Sequence, residues 1–289
     1  MHGYINSFHK IMNKFRCLII LGIVLLVASC HKGEAPGNDA ALSDEWKLPG
    51  DRAIYGLTCD GCTDSVFVLL PLDCSDPISF NIIKAHKQKK VLGHAKIGDW
   101  VAVVPSEEDS TVAELVVNLD ELKGTWCYIV MPRLRMAPGA TAKDEARMMS
   151  EMPDSVKETY FIPREYGFAL KQQWQAHSVG YVRQNTTIED ESPVVYPRLA
   201  YFTKWKMWNG KLIITSGEPV MNEEAKKFDV INEHNDTCDI LYLMNDSLVL
   251  GSEGATRGYY RHNNVSEVNK EANAAAEKIH QQALDELKK

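Results

Sequence analysis

The feature that most restricts the fold is a series of alternating apolar and polar segments separated by two-residue turns. Residues 199–208 alternate in this way, and Asn209-Gly210 follows as a strong hairpin signal before residues 212–215. Asn245-Asp246 marks a second hairpin between two further β-type segments. An antiparallel meander that returns to its own first strand closes into a barrel. We therefore expect an up-and-down β-barrel in the second half of a mainly β chain.

The first half of the chain also contains short β-type runs, at residues 65–70, 78–85, 100–104 and 112–119. Turn residues separate these runs, and the spacing favours a small barrel or sandwich over a βαβ unit. The sequence therefore predicts a small β domain over residues 45–120.

The period of the apolar residues changes near the C-terminus. Val268, Ala272 and Ala275 begin a series with three- and four-residue spacing, and Ser266 precedes it as a candidate N-cap. This pattern predicts an amphipathic helix within residues 264–289. The apolar face of the helix has two interpretations at this stage, which are packing against the barrel wall and coiled-coil association.

The N-terminus has the pattern of an export signal. Residues 1–29 carry Lys10, Lys14 and Arg16 but no acid, and their apolar run at 18–28 is short for a membrane-spanning helix. The run ends at Val-Ala-Ser-Cys, which resembles the lipobox of bacterial lipoproteins, so we expect a signal peptide over 1–29 and a lipidated Cys30. The alternative is a plain secretory signal, with Cys30 an incidental first residue. Residues 30–44 are mostly small and polar, as in a tether.

Lipidation would make the membrane the first partner of the protein, because two or more acyl chains on Cys30 hold a protein there stably. Similarity to other lipoproteins, which favour the outer membrane when no Asp follows the lipidated Cys, indicates that location, since His31 follows Cys30. The whole chain has a formal charge of −7, and removal of the signal makes it more negative. An acidic protein repels phosphate backbones, so we expect no nucleic-acid partner.

Four segments of the second half resemble lipocalin-like (calycin-like) lipoproteins of Bacteroides-type bacteria. They are residues 122–126, which contain Gly124-Thr125-Trp126, residues 166–170, residues 204–212 and residues 246–250, and the similarity extends over about 122–263. The resemblance implies a lipocalin-like barrel over 121–263, with residues 131–165 as a lid-like excursion. It also implies that Gly124 and Trp126 close one end of the barrel and that a basic side chain covers the Trp126 indole, with Arg261 as the first candidate and Arg257 as the second.

The resemblance further implies a cup that binds a small, mostly apolar molecule. Its tentative lining residues are Phe168, Trp174, Tyr201 and Trp205. The excursion is rich in methionine, which suits either an adaptable lid over a ligand or a plug that fills the barrel end. The rival hypothesis is a filled barrel in a structural or interaction lipoprotein with a protein partner in the cell envelope.

Catalytic signals are weak throughout. Cys59-x-x-Cys62 fits a structural turn or a disulfide, although metal binding and redox chemistry remain alternatives. We find no hydrolase, metalloprotease, phosphate-loop or dinucleotide motif. The sequence therefore predicts a non-enzymatic protein with no cofactor and no metal.

Overall fold

The computed structural model describes residues 47–182, 192–222 and 226–286. The predicted signal peptide, Cys30 and the tether lie outside these residues. The chain is mainly β and has a C-terminal helix, as the sequence predicts. In the part of the chain that is described, no helix is both long and apolar enough to cross a membrane.

The first sheet has six strands in the order β3-β2-β1-β5-β6-β4, in which only the short β4 runs parallel to its neighbour. The strands are β1 (Ile54–Thr58), β2 (Val66–Pro71), β3 (Ile78–Asn81), β4 (Val91–Leu92), β5 (Trp100–Pro105) and β6 (Ala113–Asn118). A bridge from Asn81 to Val112 brings the outer strand β3 to the start of β6, so the sheet curls around its apolar core.

The strand predicted over 78–85 is too long. Strand β3 ends at Asn81, and a short helix α1 (Ile83–Lys87) follows. The Asn81 side chain accepts a hydrogen bond from the backbone N–H of Ile83 at 3.0 Å. Asn competes with the strand ladder through local bonds of this kind, which ends the strand.

The second sheet has eight antiparallel strands in the order β10-β9-β7-β16-β15-β14-β13-β12. They are β7 (Gly124–Val130), β9 (Arg164–Leu170), β10 (Ala176–Val179), β12 (Tyr201–Trp208), β13 (Lys211–Asn222), β14 (Lys227–Met244), β15 (Ser247–Ser252) and β16 (Ala255–His262). Its two edges approach each other. The N–H of Trp205 on β12 donates to the carbonyl of Trp174, just before β10, at 2.9 Å. The sheet is therefore a nearly closed up-and-down barrel.

Both predicted hairpins are confirmed. Asn209-Gly210 joins β12 to β13, and Asn245-Asp246 joins β14 to β15. The first turn also contacts the six-stranded sheet, since a Cβ placed on Gly210 would lie 2.0 Å from Leu115 Cδ2. Gly210 has a φ of +77°, so both its conformation and its surroundings require glycine.

A small polar cluster attaches the same hairpin to the start of the six-stranded sheet. Asp51 Oδ1 accepts the N–H of Asn209 at 2.8 Å, and Asn209 Oδ1 accepts the N–H of Arg52 at 2.8 Å. Asp51 Oδ2 accepts the Tyr55 hydroxyl at 2.6 Å. The two sheets thus share hydrogen bonds as well as apolar contacts.

The excursion between β7 and β9 is held by a two-stranded sheet and contains two helices. Its elements are β8 (Arg133–Leu134), α3 (Ala142–Glu151) and α4 (Asp154–Tyr160), and β11 (Val194–Val195) pairs with β8. The short helix α2 (Leu119–Leu122) precedes β7. Thr141 and Asp144 form a capping box at the start of α3.

The C-terminal helix α5 (Lys270–Glu286) begins four residues later than Ser266. A 3₁₀ turn at Val265–Glu267 comes first, and Asn269 then adopts a φ of +57°, which interrupts the helical path. Val268 is buried against Cys127, Ala169 and Val179 of the barrel wall. The described side chains therefore support the interpretation in which this segment packs on the barrel.

Candidate functional site

The eight-stranded barrel encloses a cavity of about 420 Å³. Five aromatic side chains form much of its lining: Tyr128, Phe168, Tyr201, Phe202 and Tyr259. Polar and charged groups also line it, and they include Arg198, Ser216, His234, Asp236 and Arg257. The cavity thus combines an aromatic wall with a charged portion.

The aromatic wall is a chain of ring contacts that crosses four strands, β16, β7, β9 and β12. Tyr259 on β16 packs edge-on against Tyr128 on β7, with ring centroids 5.5 Å apart. The same ring lies 5.2 Å from Phe168 on β9, which in turn contacts Phe202 at 5.7 Å. Burial raises the pKa of Tyr259 despite the opposing charge of Arg257, so its phenol stays neutral. Such a wall offers a large apolar surface to a ligand.

Arg257 covers part of this wall. Its guanidinium lies 4.2 Å from the centroid of the Tyr128 ring, in a cation–π contact. The charge of Arg257 also acts on the pKa of Tyr259, so the two side chains are neighbours. The head of this arginine is therefore oriented along the cavity although the residue itself is exposed.

Ser216, His234 and Asp236 form the polar cluster of the cavity, but their geometry does not form a catalytic relay. Ser216 Oγ lies 3.0 Å from His234 Nε2, and Asp236 Oδ2 lies 3.7 Å from the same nitrogen. A serine nucleophile needs its hydroxyl and its carboxylate on opposite ring nitrogens of the histidine. This arrangement can donate or accept hydrogen bonds to a ligand, and it gives no mechanism for acyl transfer.

Comparisons with known proteins give one weak similarity. No protein-family model matches the chain, and neither does any curated protein. A solved structure of a lipocalin-like protein from Bacteroides thetaiotaomicron is 20% identical, with a TM-score of 0.23. The matched region covers 48% of this chain and 95% of that one.

Two of the four predicted ligand contacts line the cavity, and two do not. Phe168 and Tyr201 are lining residues, whereas Trp174 and Trp205 are absent from the lining. Trp205 is fully buried, and its indole N–H donates to the carbonyl of Lys171 at 2.8 Å. Its ring packs on Trp174 at 4.7 Å, and Trp174 contacts Trp100 of the six-stranded sheet. The buried Trp205 and the partly buried Trp174 and Trp100 thus form a contact between the sheets and not a part of the cavity wall.

The strand register explains which lining residues the sequence analysis missed. Tyr128 lies two positions after Trp126 and Tyr259 two positions before Arg261, so each shares a strand face with a residue already singled out. Phe202 has the opposite parity to Trp205, but a bulge between Phe202 and Lys204 shifts the register of β12. The alternation of apolar and polar residues cannot by itself predict which face a residue occupies on both sides of a bulge.

The excursion does not supply the cavity lining. None of its described residues contacts the 420 Å³ cavity. Arg135, Tyr160 and Ile162 instead line a separate space of about 70 Å³, together with Ala272 and Ala275 of α5. The methionines of the excursion therefore act neither as the roof of this cavity nor as its filling.

The structure brings Gly124, Trp126 and Arg261 together at one end of the barrel. The Arg261 guanidinium lies 4.2 Å from the centre of the buried Trp126 ring system, and the indole N–H donates to the Leu122 carbonyl at 2.8 Å. A Cβ on Gly124 would lie 2.1 Å from Arg261 Nη1, and its φ is +144°. Glycine is thus required for the guanidinium to lie over the ring.

Arg261 also binds backbone carbonyls on three sides. Its Nη1 donates to Lys123 at 2.8 Å, its Nε to Asn245 at 3.0 Å, and its Nη2 to Glu121. Burial lowers its pKa, while the carboxylates of Glu121 and Asp246 act in the opposite direction. This arginine therefore ties α2, the start of β7 and the β14–β15 turn together.

A second buried polar cluster lies around Glu165 on β9. Its Oε1 accepts the Tyr260 hydroxyl at 2.6 Å and faces His262 Nε2 at 2.8 Å, and its Oε2 accepts the Asn269 N–H at 2.8 Å. Burial by itself raises the pKa of Glu165, but these hydrogen bonds outweigh it and hold the pKa below its usual range. The cluster connects β9, β16 and the segment before α5.

The cysteines of the described chain are all free thiols, so the disulfide considered for Cys59 and Cys62 is not formed. Cys62 Sγ accepts the N–H of Val68 at 3.2 Å, in the turn between β1 and β2. Burial raises the pKa of Cys127 to about 12, with a smaller effect from Glu165. Among the described residues, no three His, Cys, Asp or Glu side chains converge as a metal site would require.

Proposed function

We propose that this chain is a lipoprotein of the cell envelope, anchored through Cys30, whose lipocalin-like barrel binds a small and mostly apolar ligand without chemical conversion. The cavity of about 420 Å³ with its aromatic wall carries the ligand-binding part. Small-molecule sites in proteins have volumes of roughly 300 to 1,000 Å³ and mostly apolar linings with a few polar groups. The cavity volume disfavours the rival hypothesis of a barrel filled by its own side chains.

The anchoring part of the proposal is supported by the sequence before the described residues. A basic segment, a short apolar run and the Val-Ala-Ser-Cys sequence precede a polar stretch of tether composition. We place the protein on the outer membrane because His31, and not Asp, follows Cys30.

Lipidation can be tested by metabolic labelling with an alkyne analogue of palmitate in a Bacteroides-type host. We expect the wild-type protein to take up the label and to sediment with membranes, because acylated Cys30 holds it there. Cys30→Ser should abolish both properties. Cys17→Ser is the matched control, since Cys17 leaves with the signal, and it should keep them. Label on Cys30→Ser, or unlabelled wild-type protein in the soluble fraction, would refute the anchor.

Ligand binding can be tested on the mature polypeptide with Cys30→Ser, by native mass spectrometry and by fluorescence of the uncharged probe phenylnaphthylamine. We expect Tyr201→Ala to weaken probe binding roughly three- to ten-fold, because it removes one aromatic contact. Tyr242→Ala is the matched control. Tyr201 and Tyr242 are similarly exposed, at 39% and 45%, but only Tyr201 lines the cavity. Equal losses in both variants, or no binding at all, would contradict the proposed site.

A further inference from the structure

The net charge of the cavity lining is opposite in sign to the net charge of the whole protein. The chain is acidic, with a formal charge of −7, yet two arginines, Arg198 and Arg257, line the cavity. Asp236 is the one carboxylate among the described lining residues. With two arginines against one carboxylate, the described lining is therefore net positive within a negatively charged molecule.

Among the described lining residues, the charged groups are not paired with one another as carboxylate and guanidinium. Asp236 lies 3.7 Å from His234 Nε2, which also contacts Ser216. Within residues 47–182, 192–222 and 226–286, no ion pair joins a carboxylate to Arg198 or Arg257. A guanidinium has five N–H donors, and the neutral Tyr259 hydroxyl leaves most of those on Arg257 for a ligand.

The aromatic wall and the arginines are adjacent parts of one surface. The Arg257 guanidinium lies 4.2 Å from the Tyr128 ring centroid, and Tyr128 contacts Tyr259. A ligand that packs on these rings therefore brings its end close to a fixed positive charge. A cationic ligand is disfavoured, because Arg257 already occupies a face of Tyr128 and would repel it.

We propose that the ligand is an amphipathic anion, with an apolar body against Phe168 and Tyr259 and a carboxylate, sulfonate or phosphate group bound by Arg257 and Arg198. This inference rests on the proposed ligand-binding function and specifies its ligand class. Guanidinium is suited to the role, because it binds oxyanions through two parallel hydrogen bonds and is weakly hydrated. The aromatic wall supplies apolar contact, and the arginines select the charged end.

Two fluorescent probes that differ by one sulfonate can test the inference on the mature polypeptide with Cys30→Ser. Anilinonaphthalene sulfonate is the anion, and phenylnaphthylamine is its uncharged counterpart. We expect Arg257→Gln to weaken binding of the sulfonate about ten-fold and to change binding of the neutral probe less than about two-fold. Arg198→Gln should act in the same direction. Arg147→Gln on the exposed helix α3 removes the same charge away from the cavity and should change neither affinity.

The outcomes separate the two proposals. If neither probe binds the wild-type protein, the proposed ligand-binding function fails. If both probes bind equally well and Arg257→Gln leaves their ratio unchanged, ligand binding stands and the anion preference is overturned. Equal loss of sulfonate binding in Arg147→Gln would assign the effect to net charge and would also overturn the inference. Matched thermal unfolding curves for the variants confirm that each one is folded.

Discussion

Replacing Arg261 with methionine is expected to lower the free energy of unfolding by about 2 to 4 kcal/mol, measured by urea unfolding. Methionine keeps much of the apolar stem over Trp126, so the loss isolates the guanidinium. The Nε, Nη1 and Nη2 atoms of Arg261 each donate one hydrogen bond, to the carbonyls of Asn245, Lys123 and Glu121. No other described side chain donates to these three carbonyls. Carbonyls that lose a charged donor in a partly buried site lose a hydrogen bond of the stronger class.

Arg257→Met is the matched control for this measurement. Both guanidinium groups lie 4.2 Å from an aromatic ring, but Arg257 is exposed, and within the described residues no hydrogen bond joins its side chain to the backbone. We expect the control to lose less than about 1 kcal/mol, the usual range for an exposed cation–π contact. Equal losses at the two positions would show that the ring contacts, and not the backbone hydrogen bonds, stabilise this end of the barrel. If Arg261→Met left the free energy of unfolding unchanged, Arg261 would not be the residue that closes this end of the barrel.

The closing end was predicted from the resemblance to lipocalin-like proteins, and the motif that carries this prediction depends on few residues. Gly124 is required by its φ and by the space that the guanidinium fills, and Trp126 is two residues away on the same strand. The two hairpins were predictable for a similar reason, since Asn209-Gly210 and Asn245-Asp246 specify their turns almost alone. A turn that is specified by its own two residues forms whatever the rest of the fold is.

The cavity lining could be predicted only in part, because register in a barrel depends on bulges. The bulge at Thr203 explains why Phe202 lines the cavity although its parity is opposite to that of the inward-facing Trp205. Trp174 and Trp205 have the apolar character expected of residues that contact a ligand. Their actual place, in a contact between the two sheets, depends on Trp100 from another part of the chain. Sequence periodicity contains no information about that partner.

The attachment of the terminal helix was not predictable for the same reason. The apolar period identifies the helix, but it places the start at Ser266, whereas α5 begins at Lys270. The deciding residue is Asn269, which binds Glu165 at a separation of 104 positions in the chain. A single Asn has no recognisable pattern, so its role appears only when both partners are in place.

Asn269→Ala is expected to release the terminal helix from the barrel at a cost of about 3 kcal/mol, because buried hydrogen-bond partners are left unsatisfied. The Asn269 side chain accepts the Glu165 N–H at 2.6 Å and donates to the carbonyls of Glu165 and Gly180 at 2.9 and 2.8 Å. Hydrogen exchange measured by mass spectrometry should show faster exchange in α5 and β9 while the other strands keep their protection.

Two controls separate the hydrogen bonds from the backbone conformation at this position. Asn269→Gly removes the side chain but adopts a φ of +57° without strain, so it should lose nearly as much protection as the alanine variant. Asn264→Ala removes one exposed hydrogen bond to Ser266 and should leave α5 protected. If Asn269→Gly exchanged like the wild-type protein, the effect of alanine would be backbone strain alone, and the proposed attachment would be wrong.

The pH dependence of the same protection gives an independent check. The folded pKa of Glu165 lies below its usual value, so its stabilising effect is complete above the unfolded pKa and is lost as pH falls through the folded one. Wild-type α5 should therefore lose protection on acidification below about pH 4.5, the ordinary range for Glu. Glu165→Gln should flatten this dependence, since Tyr260, His262 and Asn269 would then face a neutral amide. A pH profile that is the same in both proteins would show that a carboxyl group other than Glu165 controls the attachment of the helix.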